Sequence, residues 1–188
     1  MERILNFQHV HLLIQHREFK QANKFLDALL LIDPSESLWY FLKLIIASEN
    51  RRGQEIETWH KKITTSFPGT VEAKIAEALL PGKEISIAIK SLDQALTMDI
   101  YNPYIYYLLG NYFRMDGEYL NAIRCYQLCL AVDNEFLLVY PYRMHCFNQI
   151  GDINSAFRDY RKILDKSLNI NNKILENQII QFGSSKKV

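Results

Sequence analysis

The strongest structural signal in this chain lies in residues 102–134, which have the sequence NPYIYYLLGNYFRMDGEYLNAIRCYQLCLAVDN. In the first half, four residues are spaced at i, i+3, i+4 and i+7, which is the spacing of one buried helix face. They are Tyr106, Leu109, Gly110 and Phe113. The second half repeats this pattern at Tyr119, Ala122, Ile123, Tyr126, Cys129 and Leu130. A Met-Asp-Gly-Glu turn separates the halves, so the stretch predicts a helical hairpin. One hairpin cannot cover its own apolar faces and needs similar neighbours.

The same residue pattern recurs with a period of 34 residues. The forward copy of Gly117, Ala122, Tyr126 and Leu130 consists of Gly151, Ala156, Tyr160 and Leu164. The backward copy of Ala122, Tyr126, Cys129 and Asp133 consists of Ala88, Leu92, Ala95 and Asp99. This period and residue code resemble the tetratricopeptide-repeat (TPR) family. The resemblance implies an all-α fold, an α-solenoid of stacked helical hairpins.

The period divides the chain into about five repeats within one domain, residues 1–182. The second repeat is degenerate, with Gly53 in its turn and with Ile56 and His60 in place of the small and aromatic residues. An amphipathic segment after the last repeat predicts a helix that caps the solenoid. The predicted units are repeats 3–36, 37–68, 69–102, 103–136 and 137–170, a capping helix over 171–182, and a flexible tail over 183–188.

Charge and composition exclude several function classes. The chain has 22 basic and 21 acidic residues, interleaved along the sequence, which gives no electrostatic reason to expect nucleic acid or an anionic membrane as a partner. The longest apolar run, Leu38–Ala47, is too short to insert across a membrane, and no apolar signal segment follows Met1. Three cysteines, an odd number, fit a reducing compartment, so we expect a cytoplasmic protein.

The TPR resemblance also implies where a partner would bind. In that family the first helix of each repeat lines a concave groove. An aromatic and apolar groove favours protein binding, although each ring could instead lie in the core. We expect Tyr107→Ala to weaken partner binding with little change in thermal stability. Carried over position by position, the groove residues are Phe7, His11, Phe41, Ile45, Ala73, Glu77, Tyr104, Tyr107, Asn111, Arg114, Tyr142, His145 and Asn148.

Some TPR proteins bind carboxyl-terminal peptides through a clamp of Lys and Asn residues. Here the equivalent places hold the pairs Phe7/His11, Phe41/Ile45 and Tyr107/Asn111, of which only the asparagine matches. A groove without cations at these places cannot compensate a buried carboxylate. The sequence therefore excludes that clamp.

A second resemblance covers about residues 99–164. Tyr140-Pro141-Tyr142, together with the tyrosine-rich repeat that begins at Asn102-Pro103-Tyr104, is similar to the TPR chaperones of bacterial type III secretion. Those chaperones usually have three repeats, whereas this chain has about five. Proline inside a helix removes a donor and clashes with the preceding turn, so we expect Pro141 to bend or shorten its helix and to leave carbonyls near Leu137 free. We also expect Pro141→Ala to stabilise the fold.

No catalytic motif is present in the sequence: it lacks a Gly-rich phosphate loop, a nucleophile elbow and a paired-carboxylate arrangement. Cys125, Cys129 and the pair His145-Cys146 could in principle form a tetrahedral metal set. Cys129 and Cys146 occupy repeat-core positions, where cysteine acts as a small apolar residue, so we predict no metal and no cofactor.

The sequence thus favours a non-catalytic adaptor or chaperone that holds an extended or helical segment of another protein in the concave groove. The alternative is a structural subunit or assembly factor that uses its convex face or terminal repeats. A monomer or a weak homodimer would favour the first of these functions.

Overall fold

The computed structural model of the chain describes residues 2–165, and every regular element within them is an α-helix. The all-α fold predicted from the sequence is confirmed. The helices are α1 (Glu2–Gln15), α2 (Phe19–Ile32), α3 (Ser37–Glu49), α4 (Gly53–Ser66), α5 (Val71–Leu79), α6 (Ile85–Met98), α7 (Pro103–Met115), α8 (Tyr119–Val132), α9 (Val139–Gln149) and α10 (153–165).

The helices stack as consecutive hairpins. Each helix from α1 to α8 packs against the next one along the chain. The first helices of neighbouring repeats also contact each other, α1 against α3, α3 against α5 and α7 against α9. This is the arrangement of an α-solenoid, and it places the first helices side by side along one face.

Local sequence explains where several helices begin. Before α7, the Asn102 side chain accepts a hydrogen bond from the Tyr104 N–H at 3.1 Å, and Pro103 occupies the first helical position. Before α5, the Thr70 hydroxyl accepts from the Ala73 N–H at 3.2 Å. Both side chains satisfy donors that have no partner inside the helix, and proline has no N–H to satisfy.

An aspartate follows the second helix of three repeats. The carboxylates of Asp33, Asp99 and Asp133 each accept a hydrogen bond at 3.0 Å from the backbone N–H two residues further on. This side-chain turn reverses the chain without further secondary structure. It explains why the repeats are joined by such short connections.

The turn inside each repeat contains one residue with positive φ. In the first two repeats these residues are arginines, Arg17 at φ 60° and Arg51 at φ 54°. The sequence pattern predicts Gly53 in the second turn, but Gly53 is the first residue of α4. Arginine in this left-handed conformation costs free energy that glycine would not cost. The later repeats have glycine there, namely Gly82, Gly117 and Gly151.

Pro141 shortens the first helix of the fifth repeat, as predicted. Helix α9 begins only at Val139 and has 11 residues, against 13 in α7. Pro141 is its third residue, where a backbone N–H has no partner inside the helix, so the proline is tolerated. Two expectations are corrected. The Leu137 carbonyl is not free, because it accepts from the Tyr140 N–H at 3.3 Å. Pro141→Ala has no interrupted helix to repair.

The outer side of α10 carries an exposed apolar row at the end of the described chain. Its members are between 41% and 64% exposed. The predicted capping helix over 171–182 and the tail over 183–188 lie outside the described residues. The row consists of Ile153, Phe157, Tyr160 and Leu164.

Candidate functional site

The aromatic centre of the predicted groove is a core. Tyr107 is 0% exposed, Phe41 and Ile45 are 1% exposed, and Tyr104 is 2% exposed. We had expected these side chains at an open surface, and Tyr107→Ala to leave stability nearly unchanged. A fully buried tyrosine contributes to stability through packing, so that expectation is corrected. Ala73 was also predicted at the open surface, but it is 4% exposed and belongs to the core.

The chain itself fills the groove. Phe136 lies in the connection between the fourth and fifth repeats, is fully buried, and packs its ring 5.0 Å from Tyr104 and 5.3 Å from Tyr107, measured between ring centroids. Phe41 lies edge-on to Tyr104 at 5.4 Å. Sequence reasoning missed Phe136, because it stands outside the helical periodicity.

Helix α1 reaches across the groove to the fourth and fifth repeats. The Nε2 atom of His11 is 2.9 Å from the Asp133 carboxylate, and Nδ1 is 2.9 Å from the Tyr104 hydroxyl. A carboxylate only accepts, so Nε2–H donates to Asp133, and the direction of the bond between Nδ1 and the tyrosine hydroxyl depends on the protonation of the ring. The hydrogen bond from His11 lowers the pKa of Asp133, and burial raises the pKa of Tyr104. Gln15 extends this contact by accepting from the Leu138 N–H at 3.1 Å.

A buried acid ties the second, fourth and fifth repeats together. The Glu49 side chain is 5% exposed and lies at the end of α3. It accepts hydrogen bonds from the hydroxyls of Tyr107 at 2.6 Å and Tyr142 at 3.3 Å, and the Arg17 guanidinium is 3.7 Å away. Burial, followed by the charge of Glu49, raises the pKa of Tyr107. These contacts hold the inner face closed between the second, fourth and fifth repeats.

The remaining predicted groove residues divide into two groups. Phe7 is half-buried and stacks on His11 at 5.5 Å, and Glu77 pairs with Lys74 at 3.1 Å. His145 and Asn148 are exposed at the other end of α9. None of these four lines the cavity that Asn111, Arg114 and Tyr142 share.

Asn111, Arg114 and Tyr142 line a cavity of about 520 Å³ on the inner side of the first helices. Asn111 Oδ1 accepts from the Tyr126 hydroxyl at 2.8 Å, and the Arg114 guanidinium lies 5.1 Å from the centre of the Tyr142 ring. We call this space the inner cavity. It is lined by Ser48, Glu49, Arg51, Leu79, Leu108, Asn111, Tyr112, Arg114, Met115 and Tyr142.

Sequence reasoning missed two charged residues of the inner cavity, Glu49 and Arg51. Both stand at the end of a first helix, beyond the positions that the family places in the groove. One signal was available for Arg51, because it lies 34 residues after Arg17 in the equivalent turn. The conclusion that the groove has no cations at the clamp positions is unchanged, but arginines reach the groove from other positions.

The three cysteines are not arranged as a metal site or as reactive thiols. Burial raises the pKa of Cys125 and of Cys146 to about 11, which keeps these thiols protonated near neutral pH. The Cys129 thiol is buried and donates to the Pro103 carbonyl at 3.2 Å. Within residues 2–165, no group of three or more His, Cys, Asp or Glu residues is placed to hold a metal ion.

Among the helices of residues 2–165, none combines the length and apolar character needed to span a lipid bilayer.

No protein-family model matches the sequence, and a search of curated proteins finds no match. Several solved structures do share the fold. TTC0263, described as a thermophilic TPR protein in Thermus thermophilus, matches with a TM-score of 0.60 at 14% identity, over 93% of this chain and 97% of that chain. MamA matches with a TM-score of 0.55 at 20% identity, over 85% of this chain and 95% of that chain. YrrB, described as a TPR protein with an unusual peptide-binding site, matches with a TM-score of 0.50 at 14% identity, over 85% of this chain and 84% of that chain.

Proposed function

We propose that this chain, which has the fold of the tetratricopeptide-repeat proteins, is a non-catalytic scaffold that binds a short segment of a partner protein in its inner cavity. Similar folds include a protein described as having a peptide-binding site. The cavity lies on the face formed by the first helices, between the second, third, fourth and fifth repeats.

The observation that carries this proposal is the composition of the inner cavity. Its walls combine apolar side chains, such as Leu79 and Met115, with hydrogen-bonding groups from Asn111, Arg114 and Tyr142. A concave site that combines apolar walls with oriented polar groups is the usual form of a binding pocket. Met115 is 61% exposed, so a partner could cover apolar surface that water now covers.

The size of the cavity limits the partner segment. About 520 Å³ accommodates a few side chains, whereas the buried aromatic centre leaves no room for a long segment. We therefore propose that a short anchor is captured. A chaperone of type III secretion is the finer form of this proposal, and the Tyr140-Pro141-Tyr142 resemblance is its support. Tyr142 lines the cavity, whereas Tyr140 is 8% exposed and belongs to the core.

Site-specific photo-crosslinking tests the proposed site. A benzoylphenylalanine at Met115 would stand at the rim of the cavity, and the same probe at Leu128, which is 50% exposed on α8, serves as the control. In native lysate we expect the probe at Met115 to yield one discrete adduct that excess unlabelled protein suppresses. The control should yield none. Equal labelling from both positions would exclude the cavity as the binding site.

The alternative function, a subunit held in a larger assembly by its terminal repeat, is supported by the exposed apolar row on α10. Size-exclusion chromatography with light scattering separates the two functions. A soluble monomer or weak dimer fits the scaffold, and insolubility without a co-expressed partner fits the subunit.

A further inference from the structure

Arginines converge on the inner cavity from three different repeats. Arg17 and Arg51 occupy equivalent turns, and each ends its helix with a backbone N–H bonded to the carbonyl three residues back, at 2.9 Å and 3.0 Å. Arg114 lies in the last turn of α7. Because the first helices run side by side, these turns meet at the same edge of the molecule. The result is a cationic rim beside apolar walls.

One carboxylate lies near these arginines, and it already accepts hydrogen bonds within the protein. Glu49 is the acid of the cavity wall, and its side chain holds two tyrosine hydroxyls with Arg17 nearby. Within residues 2–165, the Arg51 side chain makes no hydrogen bond or ion pair. The Nε atom of Arg114 is buried without a hydrogen-bond partner. Two guanidinium groups of the cavity wall are therefore left with unused donors.

The geometry points to an acidic segment of a partner protein as the occupant of the inner cavity, with a carboxylate between Arg51 and Arg114 and a neighbouring apolar side chain against Leu108 and Met115. This inference rests on the proposed binding function and specifies its ligand. Guanidinium groups bind carboxylates through charge-assisted hydrogen bonds. The charge of the cavity is complementary to such a segment, because Arg17 offsets Glu49 and leaves the other two cations in excess.

The neighbouring amide fits the same ligand. Asn111 uses its Oδ1 atom to accept from the Tyr126 hydroxyl, so a hydrogen bond to a ligand would come from its amide nitrogen, which also interacts with Tyr107. A carboxylate accepts from amide and guanidinium groups alike. A basic segment would instead meet two cations and an acid that is almost fully buried.

The test uses fluorescence anisotropy with the full chain and three labelled eight-residue peptides. The first alternates Glu and Leu, the second replaces each Glu by Gln, and the third replaces each Glu by Lys. We expect only the acidic peptide to bind, and its affinity to fall with added salt. Arg51→Gly and Arg114→Gln should each weaken it roughly tenfold, the effect of losing one charge-assisted hydrogen bond. Arg124→Gln removes an exposed charge of α8 outside the cavity and should leave affinity unchanged.

Arg51→Gly also guards against loss of folding as an explanation. Glycine suits the positive φ of this position, so this variant should melt at a higher temperature than the wild type while it binds the acidic peptide more weakly. Four outcomes would each overturn the inference. The Gln peptide binds as well as the acidic one, or the Lys peptide is preferred. Tripolyphosphate competes with equal affinity, or both arginine variants keep the affinity of the wild type. If the acidic peptide fails while the Met115 probe still captures a partner, the acidic specificity is wrong and the scaffold function stands. If both fail, the proposed function fails as well.

Discussion

Replacing Gly110 by alanine should destabilise the protein, although alanine is the better helix former. Gly110 lies in the middle of α7, where it faces the ring of Tyr126 on α8. A Cβ atom added to Gly110 would lie 2.4 Å, 2.6 Å and 2.9 Å from three carbon atoms of that ring. Carbon atoms in contact pack at about 3.5–4.0 Å, so the ring or the helix would have to move by about 1 Å. Tyr126 is 0% exposed, so the rest of the protein encloses its ring.

The sign of the effect follows from three magnitudes. Glycine to alanine inside a helix stabilises by about 0.5–1 kcal/mol when nothing clashes. Overpacking of a filled core costs about 1–3 kcal/mol. A displaced ring also loses its 2.8 Å hydrogen bond to Asn111, which is worth about 0.5–1.5 kcal/mol. We therefore expect Gly110→Ala to lower the free energy of unfolding by about 1–3 kcal/mol.

The third repeat contains an equivalent contact in which a larger residue replaces the glycine and a smaller one replaces the tyrosine. The pair Gly110 and Tyr126 corresponds, 34 residues earlier, to Ala76 and Leu92, which are both 0% exposed. The double variant Gly110→Ala, Tyr126→Leu reproduces that pair in the fourth repeat. In the Tyr126→Leu background, Gly110→Ala should therefore be neutral or stabilising. The effect of Gly110→Ala on stability would then change sign with the residue at position 126. Independent contributions from the two positions cannot produce such a change, so it would show that the two residues are coupled.

Urea unfolding followed by circular dichroism measures each free energy. Gly53→Ala is the matched control, because its added Cβ would have its nearest contact at 3.9 Å, from Pro81. It should leave the midpoint unchanged or raise it. A Gly110→Ala variant as stable as the wild type, or a destabilisation of equal size in the Tyr126→Leu background, would refute the close approach of α7 and α8.

Four further outcomes are expected. Tyr107→Phe should lower the free energy of unfolding by about 1–3 kcal/mol, because Glu49 stays buried and loses its shortest hydrogen bond. Chemical denaturation measures this change, and an unchanged midpoint would contradict it. The pKa of Asp133 is lowered in the folded state. The ionised carboxylate therefore stabilises the fold above its unfolded pKa, near 4, and this stabilisation is lost as the pH falls through the folded pKa. Between about pH 5 and pH 3 the melting temperature of Asp133→Asn should fall less than that of the wild type. Elemental analysis of protein purified without added metal should find no stoichiometric zinc, and a chelator should not shift the melting temperature; one zinc per chain would overturn the structural role of the cysteines. Removal of residues 171–188 should lower the melting temperature, because a solenoid is stabilised by a terminal capping element, whereas removal of 183–188 alone should have no effect.

The sequence by itself determined the helices and the order of the repeats, because those features depend on neighbouring residues. Apolar spacing, Asn102 and Pro103 at a helix start, and the aspartates after the second helices act within a few positions of the chain. Where a turn residue was misplaced, as at Gly53, the error was two positions along the chain. Of the predicted groove residues, Asn111, Arg114 and Tyr142 line one cavity, and their role in binding stays a prediction.

Only the tertiary structure decided that the groove is largely filled. Small rotations between neighbouring repeats accumulate along a solenoid, and no local pattern specifies their sum. Here the sum brings His11 to Asp133 across 122 residues and lets Phe136, a residue of a connecting segment, enter the centre. The same curvature brings Arg51 and Arg114 to one cavity. Residues that a period assigns to an open surface can therefore become core, because burial depends on distances that the sequence does not contain.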